Sequence, residues 1–180
     1  MTRLTVIAGP TAVGKGTVIR HILENYPEVQ LSVSATTRAP RPGEVDGVAY
    51  HFLSMEQFDE KIASGQMLEY AVVHGTNKYG TLREPVETAL AAGEQLILEI
   101  DIQGARQVKQ AMPEANLIFI APPSWDELVR RLTGRGTETP EEQQRRLETA
   151  RAELAAQSEF DHVVINDEVA ECARRIVELM

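Results

Sequence analysis

The fold is decided by Thr5-Val6-Ile7-Ala8-Gly9-Pro10-Thr11-Ala12-Val13-Gly14-Lys15-Gly16-Thr17, a short apolar run followed by a glycine-rich loop. Apolar residues then recur at helical spacing, at Val18, Ile19, Ile22, Leu23 and Tyr26. This order of strand, loop and helix is typical of a phosphate cradle, in which backbone N–H groups and a helix N-terminus face one anion. Lys15 adds a positive charge that can reach the outer phosphates of a nucleotide. We call residues 9–17 the phosphate loop.

The end of the phosphate loop departs from the usual pattern. That pattern places Ser or Thr directly after the lysine, whereas here Gly16 follows Lys15 and the hydroxyl comes one residue later, on Thr17. The displaced hydroxyl leaves open whether Thr17 binds Mg²⁺ directly or through water. An ordinary glycine-rich turn with a surface lysine is the alternative to a cradle, but the residues on both sides favour phosphate binding.

Length and composition favour one domain. The chain has 180 residues, of which 43% are hydrophobic, enough to bury a sizeable core. No apolar run approaches the roughly 20 residues that span a bilayer, and the N-terminus lacks the layout of a signal peptide. We therefore expect a cytoplasmic protein without a membrane partner.

The charge distribution favours a small phosphorylated ligand over a polymer. The formal net charge is −9, which argues against a nucleic-acid partner because such binding requires many cations opposite phosphates. Arginines are concentrated in two places. They are Arg38 and Arg41 in one segment, and Arg130, Arg131, Arg135, Arg145, Arg146 and Arg151 in another. The second group alternates with glutamates, so an ion-paired surface is the alternative to phosphate binding there.

Outside residues 34–81, strand patterns alternate with helical patterns, which predicts an α/β fold with a parallel sheet. Strands are predicted at 5–8, 29–33, 95–100, 116–121 and 162–165. Capping patterns at Ser124 and Thr139 predict two helices that carry the second arginine group. Glu99 and Asp101 end the strand at 95–100, at the sheet edge where such folds hold ligands.

Residues 34–81 have a different pattern, which predicts a small strand-rich insertion. A loop is expected at 34–43, because this segment holds two prolines and a glycine. Strands are expected at 48–52 and 68–73. A helix between them begins after Ser54, which forms a capping box with Gln57, and ends near Gly65.

These stretches resemble the guanylate kinases over almost the whole chain. Beyond the phosphate loop the matching segments are 32–44, 79–81, 99–104 and 134–138. The sequence Thr-Thr-Arg-x-Pro-Arg-x-Gly-Glu at 36–44 is the most specific of them. The resemblance implies a single domain, 1–180, with a three-layer P-loop NTPase core at 1–33, 82–124 and 158–180. It further implies an inserted mixed-strand GMP-binding subdomain at 34–81 and a helical lid at 125–157.

The implied reaction transfers the γ-phosphoryl group of ATP to GMP, and dGMP as a further acceptor, with Mg²⁺ as cofactor. The resemblance assigns the GMP phosphate to Arg38, Arg41, Tyr50 and Tyr79. It assigns the guanine base to Ser34, Glu69 and Thr81. Glu99 and Asp101 are implied at the GMP site and near Mg²⁺, and their division of roles stays open, as does a purely capping role for one of them.

On the ATP side, the resemblance implies contacts from the whole phosphate loop together with Arg131, Arg135 and Asn166. Lys15, Arg41, Arg135 and Arg146 are the implied catalytic residues, and Thr17 and Glu99 the implied Mg²⁺ contacts. A monomer or small homo-oligomer is expected. Two alternatives stay open, a different nucleoside monophosphate kinase and a non-catalytic guanylate-kinase-like module that binds proteins.

Overall fold

The computed structural model describes residues 2–73, 75–134, 136 and 138–180. In chain order the elements are β1 (Thr5–Ala8), α1 (Lys15–Asn25), β2 (Val29–Leu31), β3 (Ala35–Thr36), β4 (His51–Phe52), α2 (Met55–Ala63), β5 (Met67–Val73), β6 (Asn77–Leu82), α3 (Arg83–Ala91), β7 (Gln95–Glu99), α4 (Ile102–Ala111), β8 (Asn116–Ala121), α5 (Trp125–Thr133), α6 (Pro140–Ala155), a short 3₁₀ helix (Ala156–Glu159), β9 (His162–Ile165) and α7 (Val169–Leu179).

The central sheet is parallel and has the strand order β2-β7-β1-β8-β9. Successive residues along a strand point to opposite faces, so Val6 packs with α3 and α4 while Ile7 packs with α1 and α7. Helices therefore cover both faces, which explains why β1 and β8 are buried throughout and are apolar apart from Thr5 and Asn116. This arrangement confirms the predicted three-layer α/β core.

The insertion at 34–81 forms a second sheet in the order β4-β3-β6-β5. Strands β3 and β4 are parallel and the other pairs are antiparallel, which confirms a mixed sheet. A small apolar cluster of Ala35, Phe58 and Met67 lies beneath it. The capping box of Ser54 and Gln57 opens α2, as predicted.

Three details of the sequence prediction were wrong in this sheet. The strand expected at 48–52 is confined to β4, because the preceding residues turn outward and leave Val48 72% exposed. The loop expected at 34–43 contains β3, which pairs with two other strands. Strand β6 was not predicted, since its sequence lacks a clean apolar alternation. In the core, the strand expected at 29–33 ends at Leu31.

Helices α5 and α6 make up the segment predicted as a lid. They share a cluster of Leu128, Leu132 and Ala150. Side chains cap both helices as predicted, with Ser124 accepting the Glu127 N–H and Thr139 forming a capping box with Glu142. The division into core, insertion and lid stays a prediction.

None of the helices in the described part of the chain is both long and apolar enough to cross a bilayer.

Candidate nucleotide-binding site

The phosphate loop follows β1 and leads directly into α1. Gly14 has φ +93°, and Ala12, although it carries a side chain, has φ +67°. At Gly9, a Cβ would lie 2.5 Å from the carbonyl oxygen of Ile120, so only glycine fits against β8. The loop thus turns tightly over the end of the sheet, with the N-terminus of α1 behind it.

Side chains from distant parts of the chain hold the phosphate loop. Asn166 Nδ2 donates to the Val13 carbonyl at 2.9 Å and Arg131 Nη1 donates to it at 3.2 Å. Lys15 Nζ donates to the Gly9 carbonyl at 3.0 Å. Asn166 is 4% exposed, so it supports the loop from the protein interior. Its predicted contact with adenine stays a prediction.

Glu153, on α6, is a further contact that the sequence analysis missed. Its Oε2 accepts the N–H of Thr11 at 3.2 Å, across 142 residues of chain. Burial raises the pKa of its carboxyl, an effect that this hydrogen bond and the charge of Lys15 oppose. Because Glu153 lies among many other charged residues on an exposed helix, no local pattern distinguishes it.

In the insertion, three predicted phosphate-binding residues form one cluster. The Arg38 guanidinium carbon lies 5.3 Å from the centre of the Tyr50 ring, and Tyr50 and Tyr79 stack edge to face with centres 6.0 Å apart. The hydrogen bonds to Glu44 raise the pKa of the arginine, and the nearby Tyr79 adds a smaller contribution in the same direction. The structure therefore brings Arg38, Tyr50 and Tyr79 together.

Glu44 organises this cluster and was not predicted as a site residue. Its two carboxylate oxygens accept from Arg38 Nη1 and Nη2 at 2.9 Å each, and Oε1 also accepts the backbone N–H of Arg41 at 2.8 Å. The Arg38 hydrogen bond holds the pKa of Glu44 below its usual value. The signal was available, because Glu44 closes the motif at 36–44. Arg41 itself is exposed at the edge of the same loop.

The predicted guanine-binding residues also converge. Thr81 Oγ1 donates to Glu69 Oε1 at 2.7 Å, and Glu69 is 7% exposed. Burial, followed by the nearby charge of Asp101, raises the pKa of Glu69 to about 6, although the Thr81 hydrogen bond opposes the shift. Strand pairing of Ala35 with Gly80 places Ser34 opposite Thr81. A buried carboxylate and two hydroxyls thus share one side of the insertion.

Glu99 and Asp101 occupy different environments. Asp101 caps α4 by accepting the Gly104 N–H at 2.7 Å, and a side chain at Gly104 would lie 3.2 Å from oxygens of both Asp101 and Glu69. Asp101 therefore belongs beside Glu69, in addition to its capping role. Glu99 pairs with Ile7 at the end of β1 and lines a 390 Å³ cavity with Ser34 and Tyr50.

The predicted Mg²⁺ contacts, Thr17 and Glu99, are both exposed near the phosphate loop. Among the described residues, no group of three or more His, Cys, Asp and Glu side chains is placed to hold a metal ion. A hydroxyl and a carboxylate are oxygen donors, the kind of ligand that Mg²⁺ takes from proteins, and their contact with Mg²⁺ stays a prediction.

Two of the arginines predicted to bind phosphate from the segment 125–157 have carboxylate partners. Arg131 pairs with Glu127 at 3.0 Å, and Arg146 pairs with Glu138 at 2.6 Å. The ion-paired surface considered from the sequence is therefore present, while Arg131 also reaches the phosphate loop through Val13. Arg135 lies outside the described residues, and its predicted role stays a prediction.

A glycine-rich loop between the first strand of a parallel sheet and its helix, with a lysine at the helix start, defines the class of P-loop nucleotide-binding proteins. The second sheet adds a separate cluster of arginine, tyrosine and buried carboxylate. Comparison with known proteins resolves the class further. The family described as guanylate kinase matches residues 1–180, so the chain belongs to the guanylate kinase family.

Individual relatives agree with this assignment. The chain is 66% identical over 177 residues to a guanylate kinase of Leifsonia xyli subsp. xyli, covering 98% of this chain and 70% of that protein. It is 58% identical over 178 residues to a guanylate kinase of Nocardia farcinica, covering 98% and 92%. The crystal structure of guanylate kinase from Anaplasma phagocytophilum superposes with a TM-score of 0.72 at 33% identity, covering 99% of this chain and 84% of that one.

Proposed function

We propose that this protein transfers the γ-phosphoryl group of ATP to GMP, giving ADP and GDP. Family membership supports the reaction, and the observation that carries the choice of acceptor is the buried Glu69 beside Thr81 and Asp101. A carboxylate accepts hydrogen bonds and cannot donate them when ionised. Guanine offers two adjacent donors, N1–H and the 2-amino group, whereas adenine has no donor at N1.

The acceptor phosphate would bind at the cluster of Arg38, Tyr50 and Tyr79, with the exposed Arg41 completing it. Arginine forks and phenolic hydroxyls together supply the donors that a phosphate dianion requires. Glu44 holds Arg38 by two hydrogen bonds, which fixes the guanidinium plane before GMP arrives. This preorganisation reduces the ordering cost of binding.

On the donor side, the phosphate loop and Lys15 would hold the ATP phosphates. Phosphoryl transfer requires positioning and charge neutralisation more than a covalent nucleophile, and cations are what the protein supplies here. Arg131 already contacts the loop, and Arg146 would have to exchange Glu138 for a phosphate. Arg135 is proposed for the same task from its sequence position alone. Asn166 would act by bracing the loop at Val13.

Mg²⁺ is proposed as the cofactor, held by phosphate oxygens with Thr17 or Glu99 as protein contacts. Bound there, it would neutralise charge on the transferring phosphoryl group. We further propose that the protein acts in the cytoplasm as a monomer or small homo-oligomer, without nucleic-acid or membrane partners.

A coupled assay of ADP formation tests the acceptor. With GMP, dGMP, AMP, CMP and UMP offered in turn, we expect turnover with GMP and dGMP and at most traces with the others. Equal turnover of AMP would show that a different nucleoside monophosphate is the acceptor. A protein that binds ATP and GMP but transfers nothing would instead support the non-catalytic module.

A further inference from the structure

Ala12 lies in the left-handed region, where residues other than glycine are strained. Its φ is +67°, and it is the one positive-φ residue with a side chain among the described residues. Such strain persists where surrounding contacts determine the backbone, and it concentrates at ligand-binding sites. The contacts that hold Ala12 are therefore part of the machinery that shapes the phosphate loop.

Those contacts flank Ala12 on both sides. After it, the Val13 carbonyl accepts from Asn166 and Arg131. Before it, the Thr11 N–H donates to the carboxylate of Glu153. Asn166 belongs to the segment before α7 and Arg131 to α5, whereas Glu153 belongs to α6.

Glu153 is suited to this task by its surroundings. It is half-buried, and it lines a 290 Å³ cavity between α4 and α6 together with Asp101 and Thr149. Lys15 and Asp101 are the charged groups that act on its carboxyl. The Thr11 N–H holds the carboxylate toward the loop, while the charge of Lys15 favours the ionised carboxyl and that of Asp101 opposes it.

We propose, on the basis of the ATP-dependent function above, that Glu153 is a positioning residue for ATP binding, because its carboxylate fixes Thr11 and thereby the strained turn at Ala12. It acts through the loop backbone and does not touch the reacting atoms. Since Glu153 belongs to α6, the position of this helix determines how well the phosphate loop is formed. The segment predicted as a lid thus contributes to ATP affinity before any closure.

Two substitutions separate the hydrogen bond from the charge. Glu153→Gln removes the charge beside Lys15 but keeps an oxygen that can accept from Thr11, whereas Glu153→Ala removes both. One lost hydrogen bond corresponds to a change of about 3- to 10-fold, so we expect ATP to bind Glu153→Ala about 3- to 10-fold more weakly than Glu153→Gln. GMP affinity, measured separately, should be the same in both variants.

Glu148→Ala is the matched control. Glu148 lies on the same helix, is exposed and accepts from Gln144 of that helix, so its loss should leave ATP affinity unchanged. Equal ATP affinity for Glu153→Ala and Glu153→Gln would overturn the proposal. An equal loss of GMP affinity in Glu153→Ala would also overturn it, because that result indicates a general structural defect.

A second variant tests the link to Ala12. Glycine adopts the left-handed conformation without strain, so the Glu153→Ala substitution should weaken ATP binding less in an Ala12→Gly background. If Glu153→Ala weakened ATP binding equally in both backgrounds, the proposed action of Glu153 on the turn at Ala12 would be contradicted. A wild-type protein that neither binds ATP nor phosphorylates GMP would refute the proposed function itself, whereas an active wild type with an unaffected Glu153→Ala variant would refute only this inference.

Discussion

The phosphate loop and the insertion at 34–81 are held in place in opposite ways. The loop depends on Glu153, Arg131 and Asn166, each more than 100 residues away along the chain. In the insertion, the hold on Arg38 is local, since Glu44 binds it across only six residues, although strand pairing brings Tyr79 to the same cluster. The loop is therefore held by distant residues, whereas the arginine of the other site is held within a short segment.

The two regions also differ in the apolar packing beneath them. The loop lies over the buried β1 and β8, whereas the insertion has a small cluster of its own and exposes Val45 and Val48. Gln107 of α4 connects the insertion to the core through two hydrogen bonds of 3.1 Å with the backbone of Tyr70 on β5. We call this pair of hydrogen bonds the clamp. We therefore expect substitutions at the loop to affect the use of ATP and substitutions in the insertion to affect the use of GMP.

The largest effect is expected from Lys15→Ala. A preorganised group that stabilises developing charge typically contributes a factor of about 10² to 10³ in kcat, and Lys15 lies at the start of α1 against Gly9. We expect kcat to fall by about that factor while GMP affinity is kept. Steady-state kinetics with GMP binding by calorimetry would measure both, with Lys61→Ala on α2 as the control. Near wild-type turnover would contradict the phosphate-binding role of Lys15.

Glu69→Gln should produce the largest effect on the GMP side. Hydrogen bonds to a charged group contribute about 1.5–3 kcal/mol each, and Gln keeps one of the two acceptor oxygens, so kcat/KM for GMP should fall by about 10- to 150-fold. ATP affinity should not change. Glu84→Gln, on the exposed surface of α3, is a matched control. An unchanged preference for GMP over AMP would mean that the base is recognised elsewhere.

The pH dependence of GMP use should follow the protonation of Glu69. Burial raises its pKa to about 6, and the protonated form loses an acceptor for guanine. At pH 5 only about a tenth of the carboxyl is ionised, so kcat/KM for GMP should be about tenfold below its value near pH 8. The GMP phosphate titrates nearby, so the ratio of wild type to Glu69→Gln at each pH isolates the carboxyl. A constant ratio from pH 5 to 8 would refute this assignment.

The stability of the free protein should decrease as the pH rises, whereas GMP use should increase. The folded-state pKa of Glu69 is above the ordinary value of 4.5. Protonation of Glu69 therefore stabilises the folded protein fully at a pH below 4.5. This stabilisation is lost as the pH rises through about 6. The melting temperature of wild type relative to Glu69→Gln should therefore decrease from pH 4.5 to pH 7.

The smallest effect is expected at the clamp between the two regions. Gln107→Leu removes both hydrogen bonds to Tyr70 but keeps a side chain of similar size, so β5 and the adjacent Glu69 should be held less firmly. We expect the KM for GMP to rise about fivefold, in line with one or two ordinary hydrogen bonds, with ATP affinity unchanged. Gln110→Leu, exposed on the same helix, provides the comparison. Equal losses for ATP and GMP would show that the clamp supports the whole fold.

The sequence by itself determined the phosphate loop, the parallel core and the starts of α2, α5 and α6. These features follow from interactions between residues close along the chain: glycine spacing at Gly9 and Gly14, continuous apolar runs in β7 and β8, and capping at Ser54, Ser124 and Thr139. The resemblance to the guanylate kinases added the grouping of Arg38 with Tyr50 and Tyr79, which are neighbours in the structure.

Only the tertiary structure decided which polar side chains support these sites. In the sequence, Glu153 and Gln107 cannot be told from the exposed polar residues of their helices, and their partners Thr11 and Tyr70 are 142 and 37 residues away. Strand β6 pairs with the adjacent β5 and also with the distant β3, and the length of β4 likewise depended on its pairing with β3. Contacts between distant residues impose no spacing on the sequence near either partner, so no local pattern could predict them.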